Sequence, residues 1–130
     1  MTIDPTEIET VMSLPADDRF EFFIDQVIET GVIWGLVKES WAIFFDDEQG
    51  YQLLPFWSDE AFAEANKVGE WEDYNLISFE LDEFSLESAN SLKEGNVDIS
   101  IFKSPNDIGK VMSAIELQTL LIEKYNRRMN

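Results

Sequence analysis

The stretch from Val32 to Ser58 constrains the fold of this chain more than any other part of the sequence. Val, Ile, Phe, Trp and Tyr dominate it, and these residue types favour a pleated, half-buried surface. Two polar connections divide it into three predicted strands, at Ile33–Val37, Trp41–Phe45 and Tyr51–Leu54. Because a three-stranded meander with one apolar face is not stable alone in water, we expect helices to cover it.

Helical periodicity on either side of this stretch predicts the helices that pack against it. Apolar residues at positions i, i+3, i+4, i+7 and i+8 predict a helix over 16–30 that ends at Gly31. Ser113 and Glu116 have the spacing of a capping box, which opens a final helix over 114–125. Further strands are expected at Leu76–Leu81, Val97–Ile101 and, very short, Lys110–Met112.

Local signals place several element ends between these strands. Pro55 lacks a backbone N–H, so the third strand is predicted to end there or to lie at an edge. Ser58 is predicted to cap a helix whose buried side extends to Val68. Asp82 is predicted to cap a helix that carries Phe84, Leu86 and Leu92 and ends near Gly95.

The chain is therefore predicted to form one α+β domain over residues 1–130, a common domain size. We expect a mainly antiparallel, five- or six-stranded sheet that begins with an N-terminal meander and packs against three to five helices. Residues 1–14 form an N-terminal helical extension in this prediction, and residues 126–130 form a frayed tail.

The formal charge of −18 is the most unusual property of the composition. Residues 1–92 hold 22 acidic and 3 basic side chains, and residues 93–130 hold 5 acidic and 6 basic ones. A surface this negative repels nucleic-acid phosphates and anionic membranes and favours basic partners. Solubility alone is the alternative explanation of such a charge.

The absence of histidine and cysteine limits the chemistry available to the chain. Histidine-based nucleophile systems, thiol chemistry, disulfides and zinc–thiolate sites are excluded. Carboxylates, tyrosines and lysines remain. We expect no cofactor and no metal site, and the acidic segment Asp46–Gly50 does not fit a calcium loop because Tyr51 stands where that loop needs glycine. No apolar run approaches the roughly 20 residues of a membrane span, so a cytoplasmic location is expected.

The segment 54–74 is the predicted partner surface. Aromatic residues with a polar rim are typical of interface anchors, and connections carry function more often than strands do. We expect Trp57 to be structural and Trp71 to be partly exposed beside its acidic neighbours. The candidate residues of this surface are Phe56, Trp57, Asp59, Glu60, Glu70, Trp71, Glu72, Asp73 and Tyr74.

Three functional hypotheses follow from these observations. The first is a non-enzymatic acidic protein that binds a basic protein partner, in an immunity-like or regulatory role. The second is a nucleic-acid mimic that inhibits a DNA-binding protein, for which Glu21, Asp25 and Glu29 supply one ordered row of acids. The third is a carboxylate-based or metal-dependent enzyme. Direct binding to nucleic acid or membrane is not expected, and the chain is compatible with a monomer or a homodimer.

A recurring order of short motifs covers about residues 19–122. These motifs are Ile33–Leu36, Trp41–Ala42, Leu54–Trp57, Phe62–Ala65, Gly69–Trp71, Tyr74, Leu81–Phe84 and the turn from Phe102 to Pro105. Together they resemble a known bacterial family, catalogued as domain of unknown function 2750. The resemblance implies a small cytoplasmic α+β protein with no established activity and no catalytic residues to carry over.

Overall fold

The computed structural model describes residues 4–46, 50 and 52–129. It has five α-helices and six strands in this part of the chain, which confirms the predicted α+β class. The helices are α1 Pro5–Met12, α2 Ala16–Thr30, α3 Glu60–Ala65, α4 Leu86–Glu94 and α5 Ala114–Met129. The strands are β1 Val32–Val37, β2 Phe44–Phe45, β3 Gln52–Phe56, β4 Asn75–Glu80, β5 Val97–Ile101 and β6 Lys110–Ser113, with short 3₁₀ turns at Gly69–Trp71 and Leu81–Glu83.

The two long helices form where their periodicity and end signals predict them. α2 ends at Gly31, whose φ of 72° is the left-handed conformation expected of a helix terminator. The Ser113 side chain accepts a hydrogen bond from the Glu116 N–H at 3.1 Å at the start of α5. That helix continues to Met129. Fraying of the 126–130 tail stays a prediction.

The strands pair differently from a simple meander. β1 forms an antiparallel two-stranded sheet with β4, and a second sheet has the order β2-β3-β5-β6. β3 and β5 are parallel within an otherwise antiparallel sheet. Of the three strands of the predicted meander, only β2 and β3 form a ladder with each other, and β1 reaches the end of β3 through a bridge between Trp34 and Trp57. The other consecutive strands that pair are β5 and β6. Pairing between strands distant in sequence therefore organises the sheets.

Pro55 explains where the two sheets separate. It lies inside β3, an interior strand, rather than at a strand end or an edge as predicted. Alternate residues of a strand direct their backbone groups to opposite sides. The Phe56 C=O accepts from the Phe102 N–H, whereas the Trp57 N–H donates to the Trp34 C=O. The missing N–H of Pro55 therefore faces β1, at the point where β1 and β2 diverge and no ladder partner is needed.

Two helix caps differ from the prediction by one to three residues. Asp59 rather than Ser58 occupies the cap position of α3, and the Ser58 hydroxyl donates to the Asp59 carboxylate. Ser85 rather than Asp82 caps α4, accepting from the Ser88 N–H at 3.1 Å, since Asp82 belongs to the preceding 3₁₀ turn. Two apolar residues assigned to these helices are exposed. Val68, 51% exposed, lies beyond the end of α3 at Ala65, and Leu86, 52% exposed, is the first residue of α4.

The hydrophobic core lies between α2, α5 and the strands. The four largest of its fully buried apolar side chains are aromatic, and apolar burial of this kind is the main favourable term in folding. No helix among the described residues has the length and apolar character needed to cross a membrane. The largest fully buried apolar side chains are Trp57, Phe23, Phe62, Phe102, Ile24, Ile33, Leu36, Leu53, Ile99, Ile101 and Leu117.

The connection between β2 and β3 contains residues outside the described part of the chain. Residues 47–49, of which Asp47 and Glu48 are acidic, are among them, and so is Tyr51, where the third strand was predicted to begin. Gly50 has a φ of 74°, as predicted for a glycine in this turn, and its N–H donates to the Asp46 C=O at 2.7 Å.

Gly109 is expected to be the glycine least tolerant of substitution. Its φ is 71°, and an added Cβ would lie 2.4 Å from the Ile101 carbonyl oxygen, a backbone atom that cannot move aside. We expect Gly109→Ala to lower the free energy of unfolding by about 3 kcal/mol. Urea denaturation of the variant would measure this loss.

Gly31→Ala is the matched control for that substitution. Gly31 has nearly the same φ, 72°, but an added Cβ there meets nothing within 4 Å. Only the cost of the left-handed conformation, about 1 kcal/mol, is then expected. Equal losses in the two variants would contradict the close contact at Gly109.

Candidate functional site

The aromatic residues of the predicted partner surface are mostly part of the core. Phe56 and Trp57 are 2% and 0% exposed. The Trp57 indole N–H donates to the Lys103 C=O at 3.0 Å, so both its ring and its polar atom are used inside the chain. Phe56 packs edge-to-face against Phe79 and Phe84. The expectation that Trp57 is structural is confirmed.

Trp71 is also buried, at 6% exposure, and the expectation that it is partly exposed is wrong. The Trp71 ring packs against Phe44 and Tyr74, and the Lys103 ammonium nitrogen lies 5.4 Å from the centre of the Trp71 ring and 5.3 Å from that of Phe44. Burial lowers the pKa of Lys103 below its usual value, while the Asp107 carboxylate opposes that shift. Trp71 thus packs against an internal lysine.

The acidic residues of the predicted surface are largely exposed. Glu60, Glu70 and Glu72 face solvent, whereas Asp59 is half-buried and accepts from the Gln26 amide. The Asp73 carboxylate is exposed and pairs with the Lys38 ammonium. That hydrogen bond lowers the pKa of Asp73 and raises the pKa of Lys38.

Tyr74 completes the predicted surface as a half-buried ring 6.5 Å from the Trp71 ring. The segment 54–74 therefore does not present a row of exposed aromatic anchors. It presents exposed carboxylates over a buried aromatic layer. Binding of a partner at these carboxylates stays a prediction.

A second aromatic cluster does reach the surface, on a face that the sequence did not single out. It forms an open groove of about 610 Å³, within the usual size range of ligand sites. Its walls are mainly apolar and its edge is polar. The lining residues, which we call the aromatic groove, are Trp41, Phe56, Phe79 and Phe84, the aliphatic Ile43, Leu54 and Leu92, and the polar Ser40, Glu83, Ser88 and Ser91.

The groove lies beside the face of β3 that carries Leu54 and Phe56. Gly35 in β1 allows the Trp41 ring to form one wall, because a Cβ at position 35 would lie 2.6 Å from that ring. The Trp41 ring contacts Phe79 edge-to-face at 5.7 Å. α4 closes the opposite side with its Ser88, Ser91 and Leu92. Gly35 thus leaves the room that the Trp41 wall needs.

The mouth of the groove is open to solvent, and one polar group at its edge, the Glu83 carboxylate, has a fixed orientation. Ser40, Glu83, Ser88 and Ser91 are exposed, and Ile43 is 39% exposed. The Glu83 carboxylate accepts a hydrogen bond from the Glu80 N–H at 3.2 Å, which fixes it at the 3₁₀ turn. Such a site can bury an apolar group while a few polar atoms orient it.

Sequence reasoning missed the groove because its lining comes from four separate parts of the chain. Residues 40–43, β3, β4 and the 83–92 region meet only after the non-local strand pairing is made. The available signal was indirect. Trp41, Phe56 and Phe84 all lie in the segments that carry the family resemblance.

The acidic row on α2 lies beside basic residues rather than alone. Glu21, Asp25 and Glu29 are exposed, as a phosphate-like row requires. However, Glu29 pairs with Arg128, and a cavity of about 460 Å³ brings Asp25 and Glu29 together with basic residues of α5. These basic residues are Lys124, Arg127 and Arg128. The row is therefore partly neutralised at its C-terminal end.

The third hypothesis, a carboxylate-based or metal-dependent enzyme, requires several acidic side chains that lie close together in one site. Within residues 4–46, 50 and 52–129, no three acidic side chains lie close enough together to hold a metal ion. Glu83 is the one carboxylate among the described lining residues of the aromatic groove.

Comparison with known proteins identifies the family. Searches of the curated proteins and of the solved structures found no match to this chain. A family model described as "Protein of unknown function (DUF2750)" matches residues 20–121. The match covers all six strands, α3 and α4, most of α2 and the first half of α5. The chain therefore belongs to this family of unknown function.

Proposed function

We propose that the chain is a non-enzymatic protein that binds a basic protein partner at the aromatic groove. The observation that carries this proposal is an open groove walled by four aromatic rings on a strongly acidic chain. Aromatic pockets with a polar edge are where interface anchors insert. The partner would place an apolar side chain in the groove and basic side chains over the surrounding carboxylates.

The charge distribution supports a basic rather than an acidic partner. The chain has 27 acidic and nine basic side chains, so at least 18 acidic side chains have no basic side chain of the chain to balance them. Six basic residues already form ion pairs within the chain, for example Lys38 with Asp73 and Arg128 with Glu29. The remaining negative field speeds association with a positively charged protein and is weakened by salt.

The two alternatives have weaker support. A nucleic-acid mimic would use the acidic row on α2, and its Glu29 is already paired with Arg128. A carboxylate-based enzyme would need acids that converge on a reacting atom, and the groove supplies Glu83 alone among its described lining. A cytoplasmic location and an immunity-like or regulatory role are part of our proposal, with no direct contact to nucleic acid or membrane.

Filling the groove tests the proposal without disturbing the core. Ser91 is exposed and lines the groove from α4, so in Ser91→Trp the indole is expected to occupy the partner's place. The partner protein is first isolated from a native lysate by affinity capture on the wild-type chain. We expect the variant to bind this captured protein at least about tenfold more weakly than the wild type does. Its free energy of unfolding should change by less than about 0.5 kcal/mol. Calorimetric titration with the purified captured protein measures the affinity.

Asn90→Trp is the matched control, since Asn90 is exposed on the same helix and lies outside the described lining. It should bind the partner as the wild type does. The captured protein should be basic, and its affinity should fall as salt rises. Unchanged binding by Ser91→Trp, or an acidic partner with salt-independent affinity, would overturn the proposal.

A further inference from the structure

Glu83 combines two properties that matter for what enters the aromatic groove. It is the one charged side chain among the described lining residues. Its carboxylate is also held in place, because it accepts from the Glu80 N–H at 3.2 Å while the Glu80 side chain accepts in return from the turn. A fixed negative charge thus stands at the edge of an apolar site.

The walls of the groove favour the same sign of charge. Aromatic faces attract cations through their negative π-surface, and Trp41, Phe56, Phe79 and Phe84 surround the site. The hydroxyl groups of Ser40, Ser88 and Ser91 at the edge are neutral. Charge and ring chemistry therefore both select for a positive group next to an apolar one.

We propose that Glu83 is the specificity-determining residue of the groove, which binds an apolar side chain of the partner protein that has a positive charge beside it. This inference rests on the proposed function, and it names the chemistry of the inserted group. The occupant is an apolar residue adjacent to a lysine or arginine: the apolar body packs on the rings while the cation pairs with the Glu83 carboxylate.

Three small probes that share one body separate charge from apolar burial. Phenylbutylammonium, phenylbutanol and phenylbutanoate carry a positive, a neutral and a negative head on the same phenylbutyl group. Titration followed by NMR of the Ile43, Leu54 and Leu92 methyl groups reports binding at the groove itself. We expect all shifts to cluster at these methyl groups, with affinity in the order ammonium, alcohol, carboxylate.

Removing the charge of Glu83 should remove the preference of the groove for the ammonium probe over the alcohol. Glu83→Gln keeps an oxygen that accepts from the Glu80 N–H, so the turn is retained. We expect Glu83→Gln to bind phenylbutylammonium about threefold more weakly, a loss typical of an exposed ion pair. Its binding of phenylbutanol should be unchanged. Glu87→Gln removes the same charge from an exposed position outside the described lining and should leave both affinities unchanged.

Each of three outcomes would overturn this inference: no probe binds at the groove, the alcohol binds as tightly as the ammonium, or Glu87→Gln has the same effect as Glu83→Gln. The proposed function is judged separately. If partner binding is still lost in Ser91→Trp and kept in Asn90→Trp, the groove remains the contact site and only the charge selection fails.

Discussion

Trp57→Ala is expected to lower the free energy of unfolding by about 3–5 kcal/mol, the range for removing a fully buried large aromatic side chain. Trp57 is 0% exposed and has the largest side chain among the fully buried residues. Its backbone also exchanges two hydrogen bonds with Trp34, at 2.8 and 2.9 Å, which form the bridge between the two sheets. Urea denaturation followed by circular dichroism would measure the loss.

Trp57→Phe separates the ring from its hydrogen bond. Phenylalanine keeps much of the buried apolar surface, but the Lys103 C=O loses the indole N–H that donates to it at 3.0 Å. An unsatisfied carbonyl costs about 1–3 kcal/mol, so this variant should lie between the wild type and the alanine variant. If Trp57→Ala lowered the free energy of unfolding by less than about 1 kcal/mol, Trp57 would not be a core residue and would instead be a candidate anchor on the surface of the 54–74 segment.

The second large effect is expected at Arg19, a buried cation that joins three parts of the chain. Arg19 is 1% exposed. Its guanidinium donates to the Phe102 C=O at 2.9 Å, to the Leu14 C=O and to the Asp107 carboxylate. Phe102 has a φ of 58°, so the arginine holds a backbone turn that a non-glycine residue rarely adopts. We expect Arg19→Met to cost about 3 kcal/mol of unfolding free energy, measured by the same denaturation.

Arg127→Met is the control for Arg19→Met. Arg127 pairs with Glu123 one helical turn away on the exposed surface, with 70% of its side chain accessible. Surface pairs of this kind contribute little, so the variant should unfold within about 0.5 kcal/mol of the wild type. Similar losses at the two arginines would show that the Arg19 network adds nothing beyond an exposed ion pair.

Local structure was predictable wherever it depended on neighbouring residues. The apolar spacing of α2 and the alternation of β5 identified both elements, and Gly31 and Gly50 have the positive φ expected of them. These features depend on side-chain periodicity and backbone sterics within a few residues. The α+β class followed from the same signals.

Strand partners were not predictable in the same way. β1 pairs with β4 and β3 pairs in parallel with β5, across long separations in sequence. Alternation shows which face of a strand is apolar but does not show which strand lies beside it. The consequence extends to the site, because the aromatic groove is made by elements that only this pairing brings together.

The environment of Trp71 shows the same limit at a single residue. Acidic neighbours on both sides indicated an exposed ring, yet the Lys103 side chain reaches over it from the end of β5. A cation–π contact between residues this far apart has no signature in local composition. The exposed carboxylates of the 54–74 segment, in contrast, lie where their charge predicted them.

The most direct test of the proposed binding site is an NMR titration of the methyl-labelled chain with the purified partner protein. Ile43, Leu54 and Leu92 line the groove, whereas Ile24 and Ile28 lie beside the acidic row on α2. Binding at the aromatic groove predicts that the shifts concentrate on the first three residues and disappear in Ser91→Trp. Shifts confined to Ile24 and Ile28, with the groove methyl groups unchanged, would contradict the account and place the partner on the α2 surface.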